Sequence, residues 1–158
     1  YLGKEICEFY RNYKNVFCSV GILYTHASRY VKKNFLVKEL FYKIKQARGK
    51  YIFVRNKEAK IDLMSAEDAV IAMYLIMKLK KPDNFIISSN KLVNVNQIFK
   101  VIYKKMKIKK RLYLRNKSKN NTKINKNYLL GDNSKLIKKT NWKLEHNLNS
   151  IIKNILSL

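Results

Sequence analysis

Apolar residues recur at helical and strand spacings along this chain, and their order predicts alternating helices and strands. Spacings of three and four predict helices over Lys4 to Tyr13, Asn34 to about Ala47, "SAEDAVIAMYLIMKL", "NVNQIFKVIYKKM", a short segment near Asp132 or Asn133, and "NLNSIIKNILSL". Short β-rich or extended runs predict strands in "VFCSVGIL", "YIFV", "KIDLMS" and "PDNFIISS". This alternation is typical of an α/β fold.

Polar residues near the helix starts support these boundaries. Asn34 and Ser65 each precede an apolar-periodic segment and are predicted N-caps. Glu67 and Asp68 fall in the first turn after Ser65, where negative charge suits the helix dipole. The lysine- and asparagine-rich stretch that runs to Asn127 lacks periodicity, and we expect it to be loop-like.

The net charge of +25 is the strongest feature of the composition. Such a charge favours anionic partners, because lysine and arginine neutralise phosphates. The cations are mostly lysines spread along the whole chain, and no helix-turn-helix, zinc-finger or RNA-binding signature accompanies them. We therefore do not expect nucleic acid as a partner.

Length and cysteine content exclude several classes of protein. The 158 residues suit one ordinary domain, and no apolar run approaches the roughly eighteen residues that span a bilayer. With no signal peptide visible either, we expect a cytoplasmic protein without a membrane segment. Cys7 and Cys18 make no metal-ligand pattern, so we expect buried, reduced thiols and no metal site.

Three separated segments carry a resemblance to a known family: "VGILYTHASRYVKKNFLVKEL", "IFVRNKEAKIDLMSAEDAVIAMYLIM" and "YLLGDNSKLIKKTNWK". They resemble, in order, the patterns N-G-I-L-F-N-H-E-S with N-F-V-T-R-K-I, L-x-L-G-N-L-D-A-K-R-D-W, and L-L-L-G-D-P-S-K-A of the GDP-mannose 4,6-dehydratase family. That family belongs to the extended short-chain dehydrogenase/reductases.

The resemblance implies the C-terminal part of a Rossmann-type fold. Residues 1–50 would complete the nucleotide-binding domain and its crossing helix, and residues 51–158 would form the small α/β subdomain that binds a sugar nucleotide. The four glycines, at positions 3, 21, 49 and 131, form no glycine-rich phosphate loop. We therefore expect that the glycine-rich N-terminal half is absent and that this chain alone is inactive.

Lys4 is the predicted catalytic residue. The family carries Tyr-x-x-x-Lys at a helix start, where the lysine binds the nicotinamide ribose and lowers the pKa of the tyrosine acid/base. By that spacing, the tyrosine that pairs with Lys4 would stand immediately before Tyr1. The resemblance implies NADP or NAD as the cofactor.

Other matched positions imply a cofactor and substrate site. Leu23 and Tyr24 would flank the nicotinamide, with His26 beside it. Ligands gather at the carboxyl ends of parallel strands, which is where this segment falls. The implied substrate-binding residues are Thr25, Asn34, Lys38, Arg55 and Asn56.

Several positions depart from the family pattern. Ala27 replaces an acidic residue, Glu39 replaces a lysine, Arg55 replaces a glycine and Ile61 replaces an arginine. An isoleucine cannot bind phosphate as an arginine does, and Glu39 would repel it.

The resemblance favours a lyase that converts GDP-mannose to its 4-keto-6-deoxy product, as a homodimer or tetramer when intact. Two alternatives stay open. One is a related NAD-dependent epimerase or reductase, and the other is a non-catalytic remnant whose basic surface binds anions.

Overall fold

The computed structural model describes residues 2–117 and 128–157, in which helices and short strands alternate. The helices are α1 (Leu2–Tyr13), α2 (Leu36–Lys45), α3 (Ala66–Met77), α4 (Val95–Lys105), α5 (Ser134–Thr140) and α6 (Leu148–Leu156). The strands are β1 (Val20–Leu23), β2 (Thr25–Ala27), β3 (Tyr51–Val54), β4 (Lys60–Ser65), β5 (Asn84–Ile87), β6 (Leu92–Asn94) and β7 (Tyr113–Asn116).

Most of the strand pairs are parallel. β1 pairs with β5, β2 with β4, and β3 with β7 in parallel, while β4 and β6 pair antiparallel. Parallel strands require crossover connections, and here these contain α2, α3 and α4. The prediction of an α/β fold with parallel strands is confirmed, and the division at residue 50 stays a prediction.

The predicted helix starts are correct where a cap side chain reaches its backbone partner. The Ser65 hydroxyl accepts a hydrogen bond from the Glu67 N–H at 3.2 Å. Asn94 and Gln97 form a reciprocal capping box at the start of α4. The predicted cap at Asn34 is wrong, because α2 begins one residue later and its N-cap is Phe35, without a side-chain hydrogen bond.

Three strands were not predicted, and each is short. β2 lies in a stretch expected to be irregular, β6 has three residues, and β7 lies within the lysine- and asparagine-rich stretch. Tertiary pairing makes them strands, since β7 obtains its ladder from β3, far away in sequence. The rest of the predicted loop, residues 118–127, lies outside the described residues.

Two apolar cores form on different sides of β4. The larger one joins α2, α4 and α6 with the inner faces of β3 and β4. The smaller one joins α3, β5 and α5 around Trp142 and contains Met64 of β4. Because Leu63 and Met64 alternate along β4, neighbouring side chains enter different cores and the strand ties them together.

The two cysteines are free and half-buried, so the expectation of full burial is wrong. None of the helices in the described residues has both the length and the apolar character that a bilayer crossing requires.

Candidate functional site

The strand ends of β1 and β5 meet the start of β2, and this junction forms the candidate site. Beyond Leu23, the Tyr24 N–H donates to the Ile87 carbonyl at 3.0 Å, which extends the β1–β5 pairing by one residue. The chain then enters β2, whose Thr25 lies opposite Leu63 of β4. The carboxyl ends of parallel strands are where ligands gather in α/β proteins.

A cavity of about 600 Å³ opens at this junction. Its walls come from the end of β1, from β4 and from the segment before α5. Its lining is Ile22, Leu23, Tyr24, Thr25, Lys60, Ile61, Asp62, Tyr128 and Leu129. Its size is in the range of small-molecule sites, and its wall is mostly apolar with a few polar groups.

Asp62 fixes one wall of the cavity. Its side chain is buried, with 2% of the residue exposed. One carboxylate oxygen accepts hydrogen bonds from the Ser89 N–H at 2.7 Å and the Ser89 hydroxyl at 2.5 Å, and the other accepts from the Gly131 N–H at 3.1 Å. Asp62 thereby links β4 to the end of β5 and to the segment that carries Tyr128 and Leu129.

Gly131 allows the close approach that this arrangement needs. A Cβ atom at this position would lie 2.5 Å from the Ser88 hydroxyl oxygen and 3.0 Å from the Tyr24 ring. The Ser88 hydroxyl also donates to the Gly131 carbonyl at 2.9 Å, and Asn133 donates to the Ser88 carbonyl at 2.9 Å. A larger residue would push the Gly131 segment away from β5 and open the cavity wall.

Lys60 supplies the cationic side chain among the described residues that line the cavity. Its Nζ lies 5.3 Å from the centre of the Tyr128 ring, within cation–π distance. An anionic group that enters the cavity would therefore meet Lys60.

The structure brings Leu23, Tyr24 and Thr25 together in the cavity wall, and their roles in binding cofactor and substrate stay predictions. His26 lies next to them on β2 but is exposed, and its Nδ1 lies 2.9 Å from the Tyr24 carbonyl oxygen.

The remaining predicted binding residues lie outside this cavity lining. Lys38 donates from Nζ to the carbonyls of Arg29 and Val31, both at 2.7 Å, and so holds the loop before α2. Asn56 accepts from the Glu58 N–H at 2.9 Å within the turn after β3. Asn34 and Arg55 are exposed, one before α2 and the other at the end of β3.

Lys4 lies in the first turns of α1 and is also outside the cavity lining. Its Nζ lies 2.9 Å from Glu8 Oε1 and 3.7 Å from Glu5 Oε1. The hydrogen bond that Lys4 donates to Glu8 raises the pKa of Lys4 above its usual range, so its ammonium group stays charged. The Asn84 side chain, at the start of β5, also donates a hydrogen bond to Glu8.

Two contributors to the site were not identified as such from the sequence. Tyr128 is recognisable only as the residue before the "LLGD" segment, and Ser89 only as the end of "PDNFIISS". Tyr128 contacts Lys60 and Ser89 contacts Asp62. Both contacts join residues far apart in sequence, so no local sequence pattern predicts them.

Comparison with known proteins identifies the family of this chain. The sequence model of the family described as GDP-mannose 4,6 dehydratase matches residues 1–155. The chain belongs to this family. A relative named GDP-mannose 4,6 dehydratase, from Dictyostelium discoideum, is 24% identical over 168 residues, which cover 94% of this chain and 47% of that protein. The chain thus spans about half the length of the curated relative it matches.

Solved structures show the same fold. RMD from Pseudomonas aeruginosa complexed with NADPH superposes with a TM-score of 0.79 at 13% identity, covering 98% of this chain and 51% of that one. UDP-glucuronic acid 4-epimerase from Bacillus cereus, in complex with UDP-glucuronic acid and NAD, gives 0.74 at 12% identity, covering 98% and 49%. The fold is therefore the Rossmann-type fold of the epimerases and dehydratases.

The departures from the GDP-mannose 4,6-dehydratase pattern have different structural consequences. Ile61, where the family pattern has an arginine, lines the cavity and gives this part of the wall an apolar side chain. Glu39 forms an ion pair with Lys43 at 2.5 Å, one turn along α2. Ala27 is buried in the larger core, and Arg55 points to solvent.

A second polar cluster of this family member anchors its C-terminal segment. Asp68 is fully buried near the start of α3 and accepts from the N–H groups of Glu145 and His146 at 3.3 and 3.2 Å. The His146 ring bridges two carboxylates, with Nδ1 2.9 Å from Asp68 and Nε2 3.0 Å from Glu67. The hydrogen bond with Asp68 raises the pKa of His146 above its ordinary value.

This bridge should make the stability of the chain depend on pH. A raised pKa in the folded state means that the stabilisation is fully present below the unfolded pKa of about 6.5 and is lost as the pH rises through the folded value. We expect His146→Gln to lower the free energy of unfolding by about 1 kcal/mol below pH 6, and by less above pH 8. Urea unfolding at a series of pH values measures this difference.

The control for this measurement is His26→Gln, whose ring faces a carbonyl instead of a carboxylate. That variant should keep the pH profile of the unmodified chain. A loss in His146→Gln that stays constant from acid to alkaline pH would contradict the charged bridge.

Proposed function

We propose that this chain is the substrate-binding portion of a nucleotide-sugar dehydratase that acts on GDP-mannose and uses NADP or NAD. The observation that carries the proposal is the match to the GDP-mannose 4,6 dehydratase family over residues 1–155. The cavity at the end of β1 and the start of β4 gives that match a site of suitable size.

The residues around the cavity fit the reacting end of such a complex. Leu23 and Tyr24 offer an apolar edge and an aromatic ring for a nicotinamide, and Thr25 offers a hydroxyl to the sugar. Lys60 would bind the diphosphate in place of the arginine that Ile61 replaces. A nicotinamide held by Leu23 and Tyr24 would supply the hydride acceptor and donor for an internal redox reaction of the sugar.

The cofactor's phosphates need a different surface. Phosphates are bound by a glycine-rich turn at a helix N-terminus, and the four glycines of this chain form no such motif. We therefore propose that this chain binds the substrate and the nicotinamide end of the cofactor. Lys4, kept charged by Glu8, would act at the cofactor ribose and on the acid/base of an adjoining half.

A related epimerase is the second candidate. Ile61 in place of the arginine lowers the positive charge of the cavity and is compatible with a different sugar nucleotide. The epimerase from Bacillus cereus shares the fold with a TM-score of 0.74. Comparison of the affinities of the chain for GDP-mannose and for UDP-glucose separates the two candidates.

Calorimetric titration of the 158-residue chain with GDP-mannose and with UDP-glucose tests the proposal. We expect GDP-mannose to bind more tightly, and Lys60→Met to weaken its binding about tenfold through loss of a charge-assisted contact. Lys138→Met on the exposed face of α5 removes the same charge away from the cavity and is the control. Tighter binding of UDP-glucose would favour the epimerase, and binding of neither would favour a non-catalytic remnant.

Turnover provides the second readout. With GDP-mannose and NADP, the chain alone should give no dehydrated product by mass spectrometry. A fusion behind the nucleotide-binding half of a dehydratase should give product, and Lys4→Met in that fusion should lower kcat about 100-fold. Product from the unfused chain would contradict the proposal that a second half supplies the acid/base and binds the cofactor's phosphates.

A further inference from the structure

One face of the β3–β7 pair is unusual for a surface, because it carries three aromatic side chains together with a cationic one. Side chains alternate along a strand, so Ile52, Val54 and Leu114 point to the larger core while their neighbours point outward. We call the outward set the β3–β7 outer face. It consists of Tyr51, Phe53, Tyr113 and Arg115, and the exposed Arg55 follows the end of β3.

The aromatic rings on this face are open to solvent. Tyr51, Phe53 and Tyr113 are 42%, 48% and 47% exposed. Tyr51 pairs directly with Tyr113, their ring centres 6.1 Å apart, and Phe53 pairs with Arg115. The Arg115 guanidinium lies 3.6 Å from the centre of the Tyr51 ring, as in a stacked cation–π pair.

The charged side chains on the face itself are cationic, and Glu39 beside β3 is paired with Lys43, whose Nζ donates to the Phe53 carbonyl. No acidic residue occurs between Glu39 and Glu58 or between Asp83 and Asp132, the two stretches that contain β3 and β7. Arg48 and Lys110 stand before the two strands, and Lys110 Nζ donates to the Arg48 carbonyl, which brings the basic segments together. An anionic chain that crosses the face would meet cations along its length.

We propose that the β3–β7 outer face binds single-stranded nucleic acid, with bases stacking on Phe53, Tyr113 and the Arg115–Tyr51 pair. Nonspecific binding of single strands combines a cationic groove for the backbone with aromatic rings for the bases, and this face presents both. The bases of a duplex are already stacked on each other, so a duplex could use only the charges.

This inference is independent of the proposed dehydratase function. The β3–β7 outer face shares no residue with the lining of the cavity at the end of β1. Phe53 and Arg115 point away from the larger core, which Val54 enters. Along the sequence the cations are dispersed, which disfavours nucleic acid as a partner. Folding changes that distribution, since it brings Tyr51 and Phe53 beside Tyr113 and Arg115 from a distant part of the chain.

Fluorescence anisotropy with a labelled oligothymidylate of about 12 nucleotides tests the inference on the full chain. At about 50 mM salt we expect saturable binding that weakens as salt is raised. Phe53→Leu, which keeps an apolar side chain and all charges, should weaken binding about fivefold through lost stacking. Arg115→Gln should weaken it about tenfold, because charge and stacking are both lost.

The charge-matched control is Lys138→Gln on α5, which should change the affinity less than twofold. Tyr113→Leu provides a second stacking variant should Phe53→Leu melt early by circular dichroism. Equal losses in Arg115→Gln and Lys138→Gln, or unchanged affinity in the stacking variants, would overturn the inference in favour of diffuse charge. Equal competition by duplex DNA or by heparin would overturn it as well, and so would an absence of binding.

Discussion

Replacement of Asp62 with alanine is expected to lower the free energy of unfolding by about 3 kcal/mol. The carboxylate accepts hydrogen bonds from the Ser89 N–H, the Ser89 hydroxyl and the Gly131 N–H. Alanine would leave buried donors without partners, and each such donor costs about 1–3 kcal/mol. Urea unfolding followed by circular dichroism measures the loss.

Asparagine at this position provides a sharper test of the geometry. Asp62→Asn keeps one oxygen for Ser89 but turns an NH₂ group toward the Gly131 N–H, so donor faces donor. We expect an intermediate loss of about 1–2 kcal/mol. The exposed Glu58→Ala serves as the control and should stay within about 0.5 kcal/mol of the unmodified chain. A loss in Asp62→Ala no larger than that of Glu58→Ala would show that Asp62 does not anchor the wall.

Trp142→Ala should lower the free energy of unfolding by about 4 kcal/mol. Trp142 is 2% exposed at the centre of the smaller core, and its indole N–H donates to the Asp68 carbonyl at 3.1 Å. Truncation would remove the largest side chain of that core and leave a cavity between α3, α5 and β5. Circular dichroism is the appropriate probe, because Trp142 is the only tryptophan of the chain.

Trp142→Phe separates packing from hydrogen bonding. Phenylalanine keeps an aromatic ring in the core but cannot donate to the Asp68 carbonyl. We expect it to cost about 2 kcal/mol, between the unmodified chain and Trp142→Ala. If Trp142→Phe were as unstable as Trp142→Ala, the hydrogen bond, and not the filled volume, would dominate.

The sequence predicted elements best where local signals agreed. β3 matches the "YIFV" run residue for residue, and α4 has the predicted apolar face of Val95, Ile98, Phe99 and Ile102. Ser65 acts as the predicted cap, since its partner lies two residues away. Asn34 fails as a cap because α2 starts at Leu36.

The site was predictable only along one strand end. Leu23, Tyr24 and Thr25 are consecutive, so their location at a strand end was enough to bring them to the cavity. Lys38 carries a suitable charge, but its Nζ is engaged by the carbonyls of Arg29 and Val31. The roles of Asp62 and Tyr128 depend on partners far away in sequence, which no residue pattern specifies.

The parallel pairing of distant strands has a consequence for how this chain acquires its structure. Within this chain, β1 pairs with β5 from Asn84 onward and β3 pairs with β7 from Tyr113 onward, so each partner lies far away in sequence. Contacts between residues so far apart form only after long loops have closed, and loop closure costs conformational entropy. Folding through such contacts is therefore slow. During synthesis the "YIFV" segment of β3 has an open edge until β7 emerges, and in that interval it can pair with other chains. Unwanted pairing between chains through β3 is therefore most favoured before β7 has been made.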